Sequence, residues 1–396
     1  MKILQSRPVK FLLGIGSSLV GFGKKVLQSP IIKFIATTAM KILRSRWFMF
    51  FFGIVVSVVC MWLAMRPILA EKDGLANLGE EFRTADYSLL PLILFLLYVF
   101  YWLKAWRWRL LLLPVQDFAP MRDLFGPTMI GFAFNNVLPA RMGEFVRCFV
   151  FAQQQKQPMT MAVSSIFLER VFDVVAIFVY LGIGLVFMPM PEETKRLAIL
   201  FGAGIGAIAL FGVVYVFWTR PLVDFVERIL ARMSFIPHGL RDKVCRMLEN
   251  GAVGMASIRR PRLLAAILLI SMVKWVLNGA IMLITLWAFG IHPSPVVAFV
   301  LMGVVALGVS VPASPGYFGV IQGCFAAVLA GMNYDNDAVF AASVYFHLSG
   351  YIPVTILGLV LFSRTGLSLH DIGAAREETQ DAAASSEIAV EGPPTA

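Results

Sequence analysis

Apolar residues in this chain come in blocks of 20 or more, broken by short polar stretches. A helix that crosses a bilayer needs about 20 such residues. Six blocks meet that length: Trp47–Leu69, Ser88–Leu113, Met161–Met188, Leu197–Trp218, Leu263–Phe289 and Ala338–Phe362. Two more, Leu124–Phe151 and Pro295–Met332, are long and apolar yet interrupted. The first carries Asn135, Asn136, Pro139, Arg141, Gly143, Glu144 and Arg147; the second carries Pro312, Pro315, Gly316 and Gly319. A straight lipid-facing helix with that content is expensive, whereas irregular backbone is tolerated where protein buries it or it lines a cavity. The pattern predicts an all-α polytopic membrane protein with six full transmembrane helices and two broken, re-entrant helical hairpins, one entering from each side. Eight full crossings, with each broken block a spanning helical pair, is the rival.

The two broken blocks can be laid over one another. Pro139–Phe145 reads PARMGEF and Pro312–Phe318 reads PASPGYF, with Pro, Ala, Gly and Phe coinciding at an offset of 173. A long apolar span follows each, outward after the first and inward after the second in the topology set by charge. That is the arrangement of an inverted repeat, in which paired broken helices meet near the midplane and line a substrate site.

Composition agrees with a bilayer setting and removes the soluble classes. The chain of 396 residues is 59% hydrophobic and 15% charged, with mean hydropathy +0.78, against about a quarter charged in soluble domains. The net charge of +10 is unevenly placed: nine Lys/Arg precede Trp47 and no acid precedes Glu71. Basic residues beside apolar spans point to anionic lipid at the cytoplasmic surface rather than nucleic acid. The stretch 70–87 carries five acids against two bases, as expected outside. Residues 1–46 read as a basic amphipathic segment on the cytoplasmic leaflet, 47–364 as the integral domain and 365–396 as a disordered tail. Both termini are then cytoplasmic, in the inner membrane of a bacterial cell. In YWLKAWRWR, Trp102, Trp106 and Trp108 are expected at headgroup level while Lys104, Arg107 and Arg109 reach for water. The cysteines are scattered, so neither a metal nor another cofactor is expected.

Candidate chemistry lies at the breaks and in one span. Arg141, Glu144 and Arg147 are three apart, a spacing that shares one helix face. Two guanidiniums around one carboxylate suit a phosphate, although a helix end snorkelling to headgroups has the same composition. Glu169, Arg170 and Asp173 lie roughly 12–18 Å along their helix from Met161 at 1.5 Å per residue. Glu169 and Asp173 are i, i+4 neighbours and Arg170 reaches Asp173 at i+3; ionisable groups at that depth face a cavity or a partner. A structural ion pair with Arg141 or Arg147 is the plain alternative. Ser310, Ser314 and the freed amides around Gly316 could hold an anion in the second break. His347, Lys274 and Asn278 read as bundle-facing packing. No hydrolase, metalloprotease or phosphate-loop signature is present.

Three stretches together resemble the flippase-like lysylphosphatidylglycerol synthase transmembrane family: NNVLPARMGEFVR (Asn135–Arg147), LERVFD (Leu168–Asp173) and VPASPGYFGVIQ (Val311–Gln322). The resemblance covers about Trp47–Arg364. It departs at Tyr317, where the family often has a second Gly, and at Gln322, where it often has an acid. It implies translocation of a phosphate-containing lipid, an aminoacyl-phospholipid or a polyprenyl-linked sugar. By motif position it assigns substrate contact to Asn136, Pro139, Arg141, Gly143, Glu144, Arg147, Glu169, Arg170, Asp173, Ser314, Pro315, Gly316 and Gly319. The soluble aminoacyl-transferase domain of the full synthases is absent from this sequence, so a transporter rather than an enzyme is expected. A membrane glycosyl- or aminoacyl-transferase component and a non-transporting accessory protein are the alternatives.

Overall fold

The structure, a computed structural model, describes residues 46–138, 141–188, 260–310, 315–330 and 332–375. The basic N-terminal segment up to residue 45, the expected span Leu197–Trp218, the polar stretch after it and the tail beyond 375 lie outside the described residues. The chain divides into two units, Met1–Val55 and Val56–Ala396. Of the first, only the start of helix α1 (Arg46–Ala70) is described.

Among the described residues every regular element is helical. After α1 come α2 (Gly74–Thr84), α3 (Leu90–Leu112), α4 (Phe125–Val137), α5 (Gly143–Gln155) and α6 (Met159–Phe187). Then follow α7 (Pro261–Ala288), α8 (Pro295–Gly308), a short 3-10 turn at Pro315–Tyr317, α9 (Val320–Leu329) and α10 (Asn336–Ser363). Five helices are long and apolar enough to cross a membrane: α1, α3, α6, α7 and α10. They correspond to five of the six expected spans.

The broken blocks are pairs of short helices. Helices α4 and α5 have 13 residues each, α8 has 14 and α9 has 10. At 1.5 Å per residue these reach about 15–21 Å, short of a hydrocarbon core about 30 Å thick. Helix length therefore favours re-entrant pairs over full crossings. The order long, short, break, short, long occurs twice, as α3 to α6 and as α7 to α10. It is the same repeat that the PARMGEF and PASPGYF overlay picks out.

Close backbone approach holds the first pair in the bundle. A Cβ on Gly143 would lie 1.9 Å from the Gly131 carbonyl oxygen, so α5 crosses α4 at two glycines. A Cβ on Gly358 would lie 2.5 Å from the Met129 carbonyl oxygen, which seats α10 on the opposite side of α4. The largest apolar cluster joins α6 to α10 through Leu181, Met282, Leu286, Leu301 and Phe325. The segment 369–375 is helical and buries Ile372 against Ile130, Phe134 and Val150, inside the region expected to be tail.

The expected acidic loop 70–87 holds α2, which packs near the start of α10. Burial, then the charges of Asp335 and Asp337, push the Glu81 carboxyl above its usual range. The folded state thus binds that proton more tightly than the unfolded chain, so the contribution is favourable at low pH and is lost as pH rises through the shifted value. Glu81→Gln is expected to raise Tm slightly at pH 7.5 and to leave it unchanged at pH 4, read by thermal unfolding in detergent at both pH values.

Candidate functional site: a buried charge network beside two chain breaks

Four helices place ionisable side chains at one buried point. On α3, Lys104 and Arg107 are i, i+3; on α6, Glu169 and Asp173 are i, i+4; on α7, Ser271 and Lys274 are i, i+3. Each spacing aligns its residues on one helix face, and Arg147 enters from α5. Arg107, Glu169 and Lys274 are 0% exposed and Lys104, Arg147 and Asp173 at most 4%.

Glu169 takes three cations: Lys104 Nζ at 3.1 Å and Arg107 Nη2 at 3.2 Å on Oε1, and Arg147 Nη1 at 3.1 Å on Oε2. None of these has hydrogen-bond alignment, so the attraction there is largely coulombic. Asp173 is held more tightly. Arg107 donates to both its oxygens at 2.7 and 3.1 Å, Lys274 Nζ donates to Oδ1, and the Trp275 indole N–H donates to Oδ1 at 3.1 Å. Arg107 also donates to Ser271 Oγ at 2.8 Å, whose own proton goes to the Ile267 carbonyl.

The network is unbalanced. Four basic side chains, Lys104, Arg107, Arg147 and Lys274, face two carboxylates. Aromatic rings carry part of the excess, since a ring face attracts a cation. Arg147 lies 3.9 Å from the Trp108 ring centre, Lys104 4.6 Å from Phe132, and Lys274 4.7 Å from Trp275. Among the described residues, Arg147 Nε and Nη2 and Arg107 Nε still make no hydrogen bond.

Glu169, Asp173 and Arg147 thus come together as one buried cluster, with Arg147 on Glu169. Several other expectations are corrected. Arg141 does not share a helix face with Glu144 and Arg147: α5 begins only at Gly143, and Arg141 has a left-handed backbone with φ +54°. That conformation turns its guanidinium away, where it donates to the Val309 carbonyl at the end of α8. Arg170 pairs with Glu144 across helices rather than with Asp173 along its own. Lys104, Arg107 and Trp108 are buried rather than interfacial. The Trp108 indole N–H donates to Ser165 Oγ at 2.8 Å, whereas Arg109 does reach the surface and pairs with Asp117.

The Arg141–Val309 bond ties the first break to the second. Asn136 at the end of α4 donates to Thr355 Oγ1 at 2.9 Å on α10. In the second break Pro315 opens the turn, and Gly316 (φ +75°) and Gly319 (φ +85°) have conformations that favour glycine. The Gly319 N–H donates to Gln322 Oε1 at 2.8 Å and Ser310 Oγ donates to Ala306 O. Neither group is therefore left for an anion. Pro139, Pro312 and Ser314 lie outside the described residues.

Asn136 and Gly316 line a shared cavity of about 170 Å³, with Phe100 of α3 in its wall. The Phe100 ring also lies near both lysines, its centre 5.7 Å from Lys104 Nζ and 5.4 Å from Lys274 Nζ. The cavity where the breaks meet and the cation-rich network therefore adjoin through one side chain. Lys104 and Arg107 escaped the sequence reading because they sit in a tryptophan-rich run. The usable signal was their i, i+3 spacing, complementary to the i, i+4 acids of α6.

An UPF0104 membrane protein of Methanothermobacter thermautotrophicus is 25% identical over 328 residues, covering 77% of this chain and 92% of the relative. An UPF0104 membrane protein of Methanocaldococcus jannaschii is 20% identical over 233 residues, covering 58% of this chain and 92% of that protein. Glycosyltransferase AglD of Haloferax volcanii is 24% identical over 338 residues, and the match spans 52% of its length. No solved structure matches the chain. The family described as the lysylphosphatidylglycerol synthase TM region matches residues 50–358, a stretch holding both breaks and the whole charge network, and the chain belongs to that family.

Proposed function

We propose that this protein moves a lipid with a phosphate headgroup between the leaflets of a cytoplasmic membrane, its termini on the basic, cytoplasmic side. One observation carries the reading: a buried network with more cations than carboxylates, and with unpartnered guanidinium N–H groups, adjoins the cavity where two chain breaks meet. A charge near the bilayer centre costs several kcal/mol, so an uncompensated pair of cations calls for a visiting anion. A phosphate supplies that charge and accepts from Arg and Lys alike. Its tails stay in lipid while the headgroup passes through protein. Of the two guanidiniums expected to hold the phosphate, Arg147 keeps that role, and Lys104 and Lys274 take the place of Arg141.

Charge balance supplies the test. Lys104→Met with Lys274→Met leaves Arg107 and Arg147 facing Glu169 and Asp173, a neutral set that needs no visitor. In reconstituted liposomes this double variant should fold and insert normally yet translocate a labelled phosphate lipid at least tenfold more slowly. Unchanged transport would remove the proposal.

The match to a protein named a glycosyltransferase favours one second reading, a membrane component of glycosyl transfer. Formation of a glycosylated lipid by the purified protein from a labelled sugar donor, without net translocation, would establish it instead.

A further inference from the structure

We infer that Lys104 and Lys274 are proton-exchanging groups: the empty site holds both amines neutral, and an arriving phosphate is matched by a proton taken up from water. The inference rests on the phosphate-lipid reading and adds to it a coupling between lipid movement and pH.

The arginines already neutralise the acids. Arg107 makes a bidentate pair with Asp173, and Arg147 Nη1 lies 3.1 Å from Glu169 Oε2. A guanidinium keeps its proton in proteins, whereas a buried lysine can give its proton up. Two permanent positive charges thus balance two carboxylates, and the lysines carry the charge that is both surplus and removable. A visiting anion is one remedy for that surplus. Loss of a proton is the other, since a buried charge without a counter-ion is expensive.

The surroundings of each amine fit the neutral form. An ammonium brings three donors. Lys104 Nζ meets one carboxylate oxygen, Glu169 Oε1 at 3.1 Å, and is otherwise beside the rings of Phe132 and Phe100. Lys274 Nζ donates to Asp173 Oδ1, an oxygen that also accepts from Arg107 and the Trp275 indole, and is otherwise beside Trp275 and Phe100. A neutral amine still donates the one bond that each position offers. The charges facing Lys104 are Glu169, Asp173 and Arg170 of α6 and Arg107 of its own helix; those facing Lys274 are Asp173 of α6 and Arg107 and Lys104 of α3. Arg147 of α5 reaches the group through Glu169, and the charge of Arg170 is matched by Glu144.

The balance closes at each stage. Empty, two guanidiniums and two carboxylates sum to zero with both amines uncharged. A phosphodiester brings one negative charge, and one proton from water, bound by Lys104 or Lys274, cancels it. On release the proton leaves with the lipid. The headgroup phosphate therefore crosses together with a proton, and a pH difference drives the lipid towards the more alkaline side.

The test measures binding of dioctanoyl phosphatidylglycerol, whose phosphodiester keeps one charge throughout, to the purified full chain in detergent between pH 6 and pH 9. Calorimetry in buffers of different ionisation enthalpy should show about one proton taken up per lipid towards pH 9, where affinity should fall about tenfold per pH unit. Lys274→Met alone keeps one exchangeable amine and should still take a proton up. Lys104→Met with Lys274→Met should bind more weakly and take up none. Binding by the parent with no proton exchanged, and with affinity flat across the range, would overturn the coupling and leave the phosphate-lipid reading standing. Proton uptake retained in the double variant would overturn the assignment to the two lysines. Absence of binding at every pH, for this lipid and for a short-chain prenyl phosphate alike, would overturn both readings.

Discussion

Glu169→Ala is expected to be the most damaging single substitution in the protein, lowering the stability of the fold by about 3–5 kcal/mol. The carboxylate is the shared counter-ion of Lys104, Arg107 and Arg147, which come from two helices other than its own. Its removal takes the carboxylate partner from Lys104 and Arg147, while Asp173 is already claimed by Arg107 and Lys274. The loss should read as a drop in Tm and in monodisperse protein recovered in detergent. Glu169→Gln keeps the volume and removes only the charge, so it should be nearly as harmful if electrostatics governs the site. Adding Lys104→Met to Glu169→Gln should recover part of the loss, since one of the stranded charges goes with it. A Tm for Glu169→Gln within a degree or two of the parent would show that the three contacts are incidental.

The second large effect is expected at Asp173. Asp173→Asn frees the bidentate face of Arg107 and the ammonium of Lys274, again on the order of 3–5 kcal/mol. Lys274→Met alone should be far milder, because Asp173 keeps both Arg107 bonds and the network moves towards charge balance. Combining the two should cost less than the sum of the single changes, with a coupling of about 1–3 kcal/mol in a double-mutant cycle. Strict additivity would mean that Lys274 and Asp173 do not stabilise one another. Because Arg107 contacts both acids, Asp173→Asn and Glu169→Gln should also couple.

Much of this arrangement was legible in the sequence. Block length identified five of the spans now described, and Pro and Gly placed both breaks. The i, i+4 pair Glu169 and Asp173 marked the buried site, with Arg147 as a partner. The interior role of Lys104 and Arg107 was not legible, because a cation among tryptophans has the same local composition at an interface and in an aromatic-lined core. Only contacts far apart in sequence, such as Arg107 to Asp173 and to Ser271, separate the two cases. Arg141 misled for a different reason. Its three-residue spacing from Glu144 implies a shared face only if the helix has begun, and the left-handed turn at Arg141 delays it. His347 and Asn278 read as packing on their own helices, and their relation to Gly316 and Asn136 exists only once the breaks meet.

The proposed phosphate-lipid role rests on the imbalance of the network rather than on any one contact. Its most direct measurement is the phosphate lipid retained per protein after purification from a native membrane, by mass spectrometry, for the parent and for Lys104→Met with Lys274→Met. The parent should retain about one phosphate lipid per chain, and the charge-balanced variant, equally folded, should retain little. Equal retention by both, at equal Tm, would contradict the account.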